Sequence, residues 1–177
     1  ENFGIYTYDP LKKSVAPLFV KPGFKSFPMD SDAQGKYLFI ASNFENKAVY
    51  SVYRMEIATG KVERLTYGKT NLQGGLVSPS GDWIVSLRSQ SNNEIHLYLI
   101  DVKAKKTSLL FKKKNSVFGP DFFTPDEKSI VGVSDFGKDR QGCAQIDLNR
   151  PNEVKYLMSD AGKDISCGFA EWSKLFY

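Results

Sequence analysis

One histidine, two cysteines and no long apolar run stand in a chain of 177 residues, and each shortage closes off a class of function. The longest clear apolar run, Tyr37-Leu38-Phe39-Ile40-Ala41, falls far short of the roughly 20 residues that a membrane-spanning helix needs. Cys143 and Cys167 are separated by a spacing that matches no zinc motif and leaves their pairing open, and they read as two small buried residues. A single histidine excludes a histidine-cluster metal site within the chain. His96 lies in the strand-like stretch Asn93-Glu94-Ile95-His96-Leu97-Tyr98-Leu99-Ile100-Asp101, pointing with Glu94 and Tyr98 away from the apolar face of Ile95, Leu97 and Leu99. A general base there would need a nucleophile in reach, and no Gly-x-Ser-x-Gly elbow occurs to supply one. The expectation is therefore no catalytic residue, no metal and no cofactor. Charge is also in short surplus: 24 Lys and Arg against 20 Asp and Glu leave +4, without the concentrated basic footprint of a nucleic-acid binder. No segment sustains a 3.6-residue apolar period, so few helices are expected.

What is present is ordinary globular composition, 41% hydrophobic and 25% charged, written as a repeat. Val77-Ser78-Pro79-Ser80-Gly81-Asp82-Trp83-Ile84-Val85-Ser86 recurs 46 residues later as Phe123-Thr124-Pro125-Asp126-Glu127-Lys128-Ser129-Ile130-Val131-Gly132. A looser copy begins at Met29, 48 residues before Val77, and a contracted one at Trp172, 49 residues after Phe123. The second half of the unit repeats in phase, as Tyr53-Arg54-Met55-Glu56-Ile57-Ala58-Thr59-Gly60-Lys61 and Tyr98-Leu99-Ile100-Asp101-Val102-Lys103-Ala104-Lys105-Lys106.

Each unit resolves into four short strands, in the clearest one near 75–77, 83–88, 94–101 and 107–111, with turn residues Pro79-Ser80-Gly81-Asp82 and Ser91-Asn92-Asn93 between them. A period of 46 to 49 with four strands per unit predicts an all-β fold, a β-propeller of four-stranded antiparallel blades that bury both faces against their neighbours. A sandwich would not require the same turn to return at fixed spacing. The expected division is the end of a blade over 1–22, blades over 23–70, 71–116 and 117–162, and the start of a blade over 163–177. Three blades with partial ones at both ends suggest a piece of a larger propeller. Any targeting segment, missing blades or chemistry is expected outside these residues.

The Ser78-Pro79-Ser80-Gly81-Asp82-Trp83 turn, paired with Ala58-Thr59-Gly60-Lys61-Val62-Glu63-Arg64-Leu65-Thr66, resembles the WD40-like repeats of TolB-like propellers and of the N-terminal propeller of the prolyl oligopeptidase family. Departures are Glu127 in place of the turn glycine, Lys174 after Ser173 with the Pro-x-Gly lost, and Asn149-Arg150-Pro151-Asn152 in place of the Thr-Gly-Lys hairpin. The Asn43-Phe44-Glu45-Asn46-Lys47 loop and Gly74-Gly75 stand closer to the peptidase propellers. That resemblance implies a propeller that caps a separate C-terminal α/β-hydrolase domain with a Ser, Asp and His triad and restricts which peptides enter. None of the triad positions lies in this chain. The TolB-like alternative implies a platform for protein partners in the bacterial envelope, and the compartment leans to periplasmic or secreted over cytoplasmic. The partners implied are a peptide substrate or a protein, with no nucleic acid and no membrane span.

Other signals read as structure. Asp135-Phe136-Gly137 spells a kinase magnesium motif without the loops that chemistry needs, and reads as a turn. Lys112-Lys113-Lys114 reads as a solvated loop, Asp30 and Asp32 as turn initiators, and Trp83, Trp172, Phe122 and Phe123 as packing between blades. The candidate working surface is the mouth of the channel lined by the first strand of each blade. There Gln73, Asp121 and Glu171 are interleaved with glycines in Leu72-Gln73-Gly74-Gly75, Phe118-Gly119-Pro120-Asp121 and Cys167-Gly168-Phe169-Ala170-Glu171.

Overall fold

The computed structural model describes residues 3–67, 70–170 and 175–176. Among these there is no helix, and none long and apolar enough to cross a membrane. Three four-stranded antiparallel sheets follow one another along the chain. The first holds β3 (Ser26–Ser31), β4 (Tyr37–Ser42), β5 (Ser51–Glu56) and β6 (Val62–Arg64). β7 (Gln73–Val77), β8 (Trp83–Ser91), β9 (Glu94–Asp101) and β10 (Lys106–Phe111) form the second, and β11 (Phe118–Phe123), β12 (Ser129–Ser134), β13 (Gly142–Asp147) and β14 (Val154–Met158) the third. Two-stranded sheets flank them, β1 (Ile5–Asp9) with β2 (Ser14–Phe19) and β15 (Phe169–Ala170) with β16 (Leu175–Phe176).

Within each sheet the strands run in sequence order, so every connection is a hairpin, and the unit cannot bury its two apolar faces alone. Alternation along β8 and β9 shows how burial is achieved. Ile84 and Ile100 turn toward Phe39, Val52 and Leu65 of the first sheet, while Val85 and Leu97 turn toward Phe118, Ile130 and Ala144 of the third. A third layer, Ile5, Phe19, Ile40, Tyr53 and Met55, joins the first sheet to β1 and β2. Most of these side chains are fully enclosed, each contributing about 1.5–3 kcal/mol by burial. The all-β architecture of stacked blades stands as expected from the repeat.

The second strands begin at Tyr37, Trp83 and Ser129, 46 residues apart each time. The first copy thus aligns on Ser31 rather than Met29, since Ser31, Val77 and Phe123 face Leu38, Ile84 and Ile130 in equivalent pairs. The turn into each second strand is fastened alike: Asp32 Oδ1, Ser78 Oγ and Thr124 Oγ1 accept the amides of Tyr37, Trp83 and Ser129 at 2.9, 3.1 and 3.1 Å. This is the work of Asp32, as expected for a turn. Gly35, Gly81 and Glu127 then take positive φ angles of 65°, 75° and 54°, the left-handed backbone a glycine adopts freely and a glutamate does not.

Candidate functional site

The first strands β3, β7 and β11 are the edge strands of their sheets and pack side by side, β3 on β7 and β7 on β11. Crowding there explains Gly75: an added Cβ would meet the Val85 carbonyl oxygen at 2.2 Å and Met29 Cε at 3.1 Å. Each inner strand also carries an irregularity in its pairing, between Pro28 and Asp30, Gln73 and Gly75, and Pro120 and Phe122. The bulged residue of β11 is Asp121, an exposed candidate whose carboxyl is pushed above the usual carboxylate range by partial burial. Gln73 opens β7, opposite Leu87, and Glu171 lies outside the described residues, as does Trp172.

Cys167 lies within reach of the Asp121 charge and beside Cys143, and both cysteines are free. The Cys167 thiol donates to the Gly132 carbonyl at 3.2 Å. Its pKa is pushed up to about 12, first by burial and then by the Cys143 thiol and the Asp121 charge. At neutral pH it stays protonated and offers no thiolate nucleophile. His96 is equally unsuited to act as a base on a substrate. It is buried, with Nε2 2.8 Å from Glu94 Oε1 on the face predicted for both, and Glu94 Oε2 also accepts the Asn115 amide. The Glu94 carboxyl is held below its ordinary range chiefly by His96. Among the described residues no group of three or more His, Cys, Asp or Glu could hold a metal ion.

The polar feature that sequence reasoning missed lies where each chain enters a first strand. In the first sheet Ser42 Oγ donates to the Lys25 carbonyl at 3.0 Å, the Asn43 amide donates to the same carbonyl at 3.2 Å, and the Lys25 amide donates to the Asn43 side-chain Oδ1 at 2.7 Å. Phe44 then folds in against Phe19 and Tyr53. The third sheet repeats this clasp 92 residues on. Ser134 Oγ donates to Val117 O at 2.9 Å, Val117 N donates to Asp135 Oδ1 at 2.8 Å, and Phe136 packs on Phe111. Asp135-Phe136-Gly137 is accordingly a turn, with Gly137 at a φ of 69°.

In the second sheet the equivalent residues are Arg88, Ser89 and Gln90, facing Asn71. Here no clasp bond to Asn71 forms, β8 continues to Ser91, and a tight hairpin at 91–93 replaces the inward loop. An open cleft of about 510 Å³ remains, lined by Asn71, Leu87, Arg88, Ser89, Gln90 and Ile95. Only the 46-residue register, applied to the ends of the second strands, would have exposed this difference in sequence.

No protein-family model and no curated protein matches the chain. Solved structures do. A prolyl endopeptidase, from a study of two such enzymes and the role of inter-domain dynamics in their catalysis and specificity, aligns over 94% of this chain and 26% of its own, at 16% identity and a TM-score of 0.67. TolB from Acinetobacter baumannii aligns over 86% of this chain and 39% of its own, at 18% identity and a TM-score of 0.59. An oligogalacturonate lyase from Vibrio parahaemolyticus aligns over 90% and 48%, at 14% identity and a TM-score of 0.61. The fold is a β-propeller fold. The chain spans between about a quarter and a half of the structures it resembles. The same blades therefore occur in proteins named for quite different work, and identities this low speak for architecture alone.

Proposed function

We propose that the chain is the non-catalytic propeller portion of a prolyl oligopeptidase-like serine peptidase, capping the active site and restricting which peptides reach it. The observation that carries this reading is the inner wall: three first strands side by side, exposing Phe27, Asp30 and Asp121. Overlap with the prolyl endopeptidase over 94% of the chain supports it. Gln73, Asp121 and Glu171 serve as polar contacts for a peptide at the mouth of the channel, and hydrolysis belongs to a separate domain. Similarity to TolB supports a second reading, a protein-binding platform built on the same blades.

The test is made on the intact gene product. Labelling by a fluorophosphonate together with cleavage of short prolyl peptides, but not of folded proteins, is the expected result. Gln73→Ala, Asp121→Ala and Glu171→Ala should then change KM or the length limit of substrates while the overall fold is kept. An intact product that neither reacts with the fluorophosphonate nor cleaves peptides would overturn the peptidase reading and leave the binding platform. Wild-type kinetics in all three variants would remove the channel-mouth contacts.

A further inference from the structure

The cleft of the second sheet has the makings of a ligand site. Arg54, Arg64, Arg140 and Arg150 each pair with a carboxylate, namely Glu63, Glu45, Asp164 and Asp147. Arg88, the remaining arginine, has no acidic or hydrogen-bonding side-chain partner among the described residues, although Glu94 lies two residues from His96, which faces Arg88 across the strands. The Glu94 carboxylate is taken by His96 and by the Asn115 amide. An exposed guanidinium held beside half-buried Leu87 and Ile95 is thus left with a charge and a planar fork of donors unmatched.

The backbone beside it lacks a strand on one side. β7 begins at Gln73, opposite Leu87, so 88–91 of β8 pair with β9 on one side and have no strand on the other. In the first and third sheets the chain leaves the second strand at this level, and its next residue is bonded to the incoming loop. A short strand edge bordered by an arginine and two apolar side chains suits an extended segment that adds main-chain hydrogen bonds and presents an acid.

We propose that this cleft binds an extended peptide segment through the edge of β8, with an acidic side chain of the peptide paired to Arg88 and its apolar neighbours against Leu87 and Ile95. Gln90 adds an amide group to the cleft lining, whereas the Asn71 Oδ1 already accepts the Tyr50 amide at 2.9 Å. The site consists of this chain's own residues and does not depend on the peptidase reading.

A fluorescently labelled acetyl-Thr-Val-Glu-Val-Thr-amide, titrated into the intact protein by anisotropy, tests it against the isosteric peptide with Gln for Glu. The acidic peptide should bind about tenfold tighter than its Gln isostere, a margin expected of one charge-assisted hydrogen-bond pair. Arg88→Gln should erase that margin and leave the melting temperature unchanged, because the side chain is exposed and unpaired. In a second variant, Arg88→Ser with Ser89→Asn and Gln90→Phe, the clasp of the other sheets is rebuilt and binding of both peptides should be lost. Equal binding of the two peptides, a margin that survives Arg88→Gln, or undiminished binding in the rebuilt variant would each overturn the proposal. So would Arg88-dependent binding seen only for a peptide with a free C-terminal carboxylate and no acidic side chain.

Discussion

In the first and third sheets the chain leaves the second strand through Ser-Asn-Phe or Ser-Asp-Phe, whereas in the middle sheet it runs straight on through Arg88-Ser89-Gln90. The consequences follow from hydrogen-bond accounting. Buried Ser42 and Ser134 donate to the carbonyls of Lys25 and Val117, which otherwise have only the longer bonds from the Asn43 and Asp135 amides at 3.2 and 3.4 Å. Their aromatic followers, Phe44 and Phe136, then seal the top of the seam with the preceding layer. The middle sheet does neither at this level, its buried Ser86 donating instead to the Gly74 carbonyl at 2.8 Å, and it has a longer hairpin, a cleft and an unmatched cation. A repeat fold lets one unit give up a structural fastening for a surface feature, because each unit is held mainly by its neighbours.

The largest test of this comparison removes the fastening itself. Ser134→Ala would strand the Phe136 amide and leave the Val117 carbonyl only the long 3.4 Å bond from the Asp135 amide, and should lower stability by about 1–3 kcal/mol. Ser42→Ala should behave alike, since Ser42 Oγ also sits 2.7 Å from Ser26 Oγ. Ser89→Ala in the middle sheet, where the exposed hydroxyl reaches only the Ser91 carbonyl, should stay within about 0.5 kcal/mol of wild type. Urea midpoints measured side by side decide the matter. Equal losses in all three would mean that the clasp is not what separates the sheets.

How far this contrast was legible in the sequence depended on the turns. Val77 to Trp83 and Phe123 to Ser129 share a Ser/Thr-Pro start that pins their spacing, and the strands of the second unit fall within two residues of the expected bounds except that β8 runs three residues past Arg88, to Ser91. Asp32-Ala33-Gln34-Gly35 has no proline to pin its offset, and the copy aligned on Met29 placed the first unit two residues out of phase. At that offset Ser42 does not fall opposite Arg88, and the odd middle sheet stays hidden. Asp121 stands among the channel-mouth candidates because glycine recurs in the entering segments, as in Phe118-Gly119-Pro120-Asp121, and suits a crowded strand. The reach of its charge to Cys167 is a tertiary fact with no local signal.

The two seams of the middle sheet differ in a second way, of intermediate size. Toward the first sheet, Lys105 Nζ reaches Glu63 Oε1 at 2.6 Å, and Arg54 holds the other oxygen of the same carboxylate at 2.6 Å. Toward the third sheet the outer strands are joined by neutral groups, Asn152 N to Leu110 O and Lys112 N to Asn152 Oδ1, at 3.2 and 2.9 Å. Lys105 first, then Arg54, keeps the Glu63 carboxyl below its ordinary value. A folded pKa below the unfolded one contributes stability that is complete above about pH 4.3 and is lost as pH falls through the depressed value. Glu63→Gln should therefore flatten the fall of the urea midpoint below about pH 4, and high salt should mimic it in part because the pair is only partly buried. Asn152→Ala should lower the midpoint by a similar amount at every pH. A Glu63→Gln curve parallel to wild type would assign the acid sensitivity elsewhere.

The smallest effect concerns the turns into the second strands, where the third sheet is the exception. Glu127 adopts the left-handed backbone of Gly35 and Gly81, at a cost of about 1 kcal/mol for a residue with a Cβ. It gains a link to the preceding sheet, for its carboxylate accepts the Ser80 amide and hydroxyl at 2.7 and 2.6 Å. Glu127→Gly removes both the strain and the link, and adds the unfolded-state freedom of glycine. These terms are of similar size and opposite sign, so the net change should lie within about 0.5 kcal/mol. Glu127→Asn separates them: asparagine tolerates the backbone but is too short to reach Ser80, and the loss should then be about 0.5–1 kcal/mol. Gly81→Ala supplies the converse, because a Cβ there combines a φ of 75° with an approach of 3.1 Å to Asp32 Cβ, and should destabilise by about 1 kcal/mol. If Glu127→Gly instead raises the urea midpoint as much as Gly81→Ala lowers it, the bridge to Ser80 contributes nothing, and Glu127 is a strained substitution without compensation.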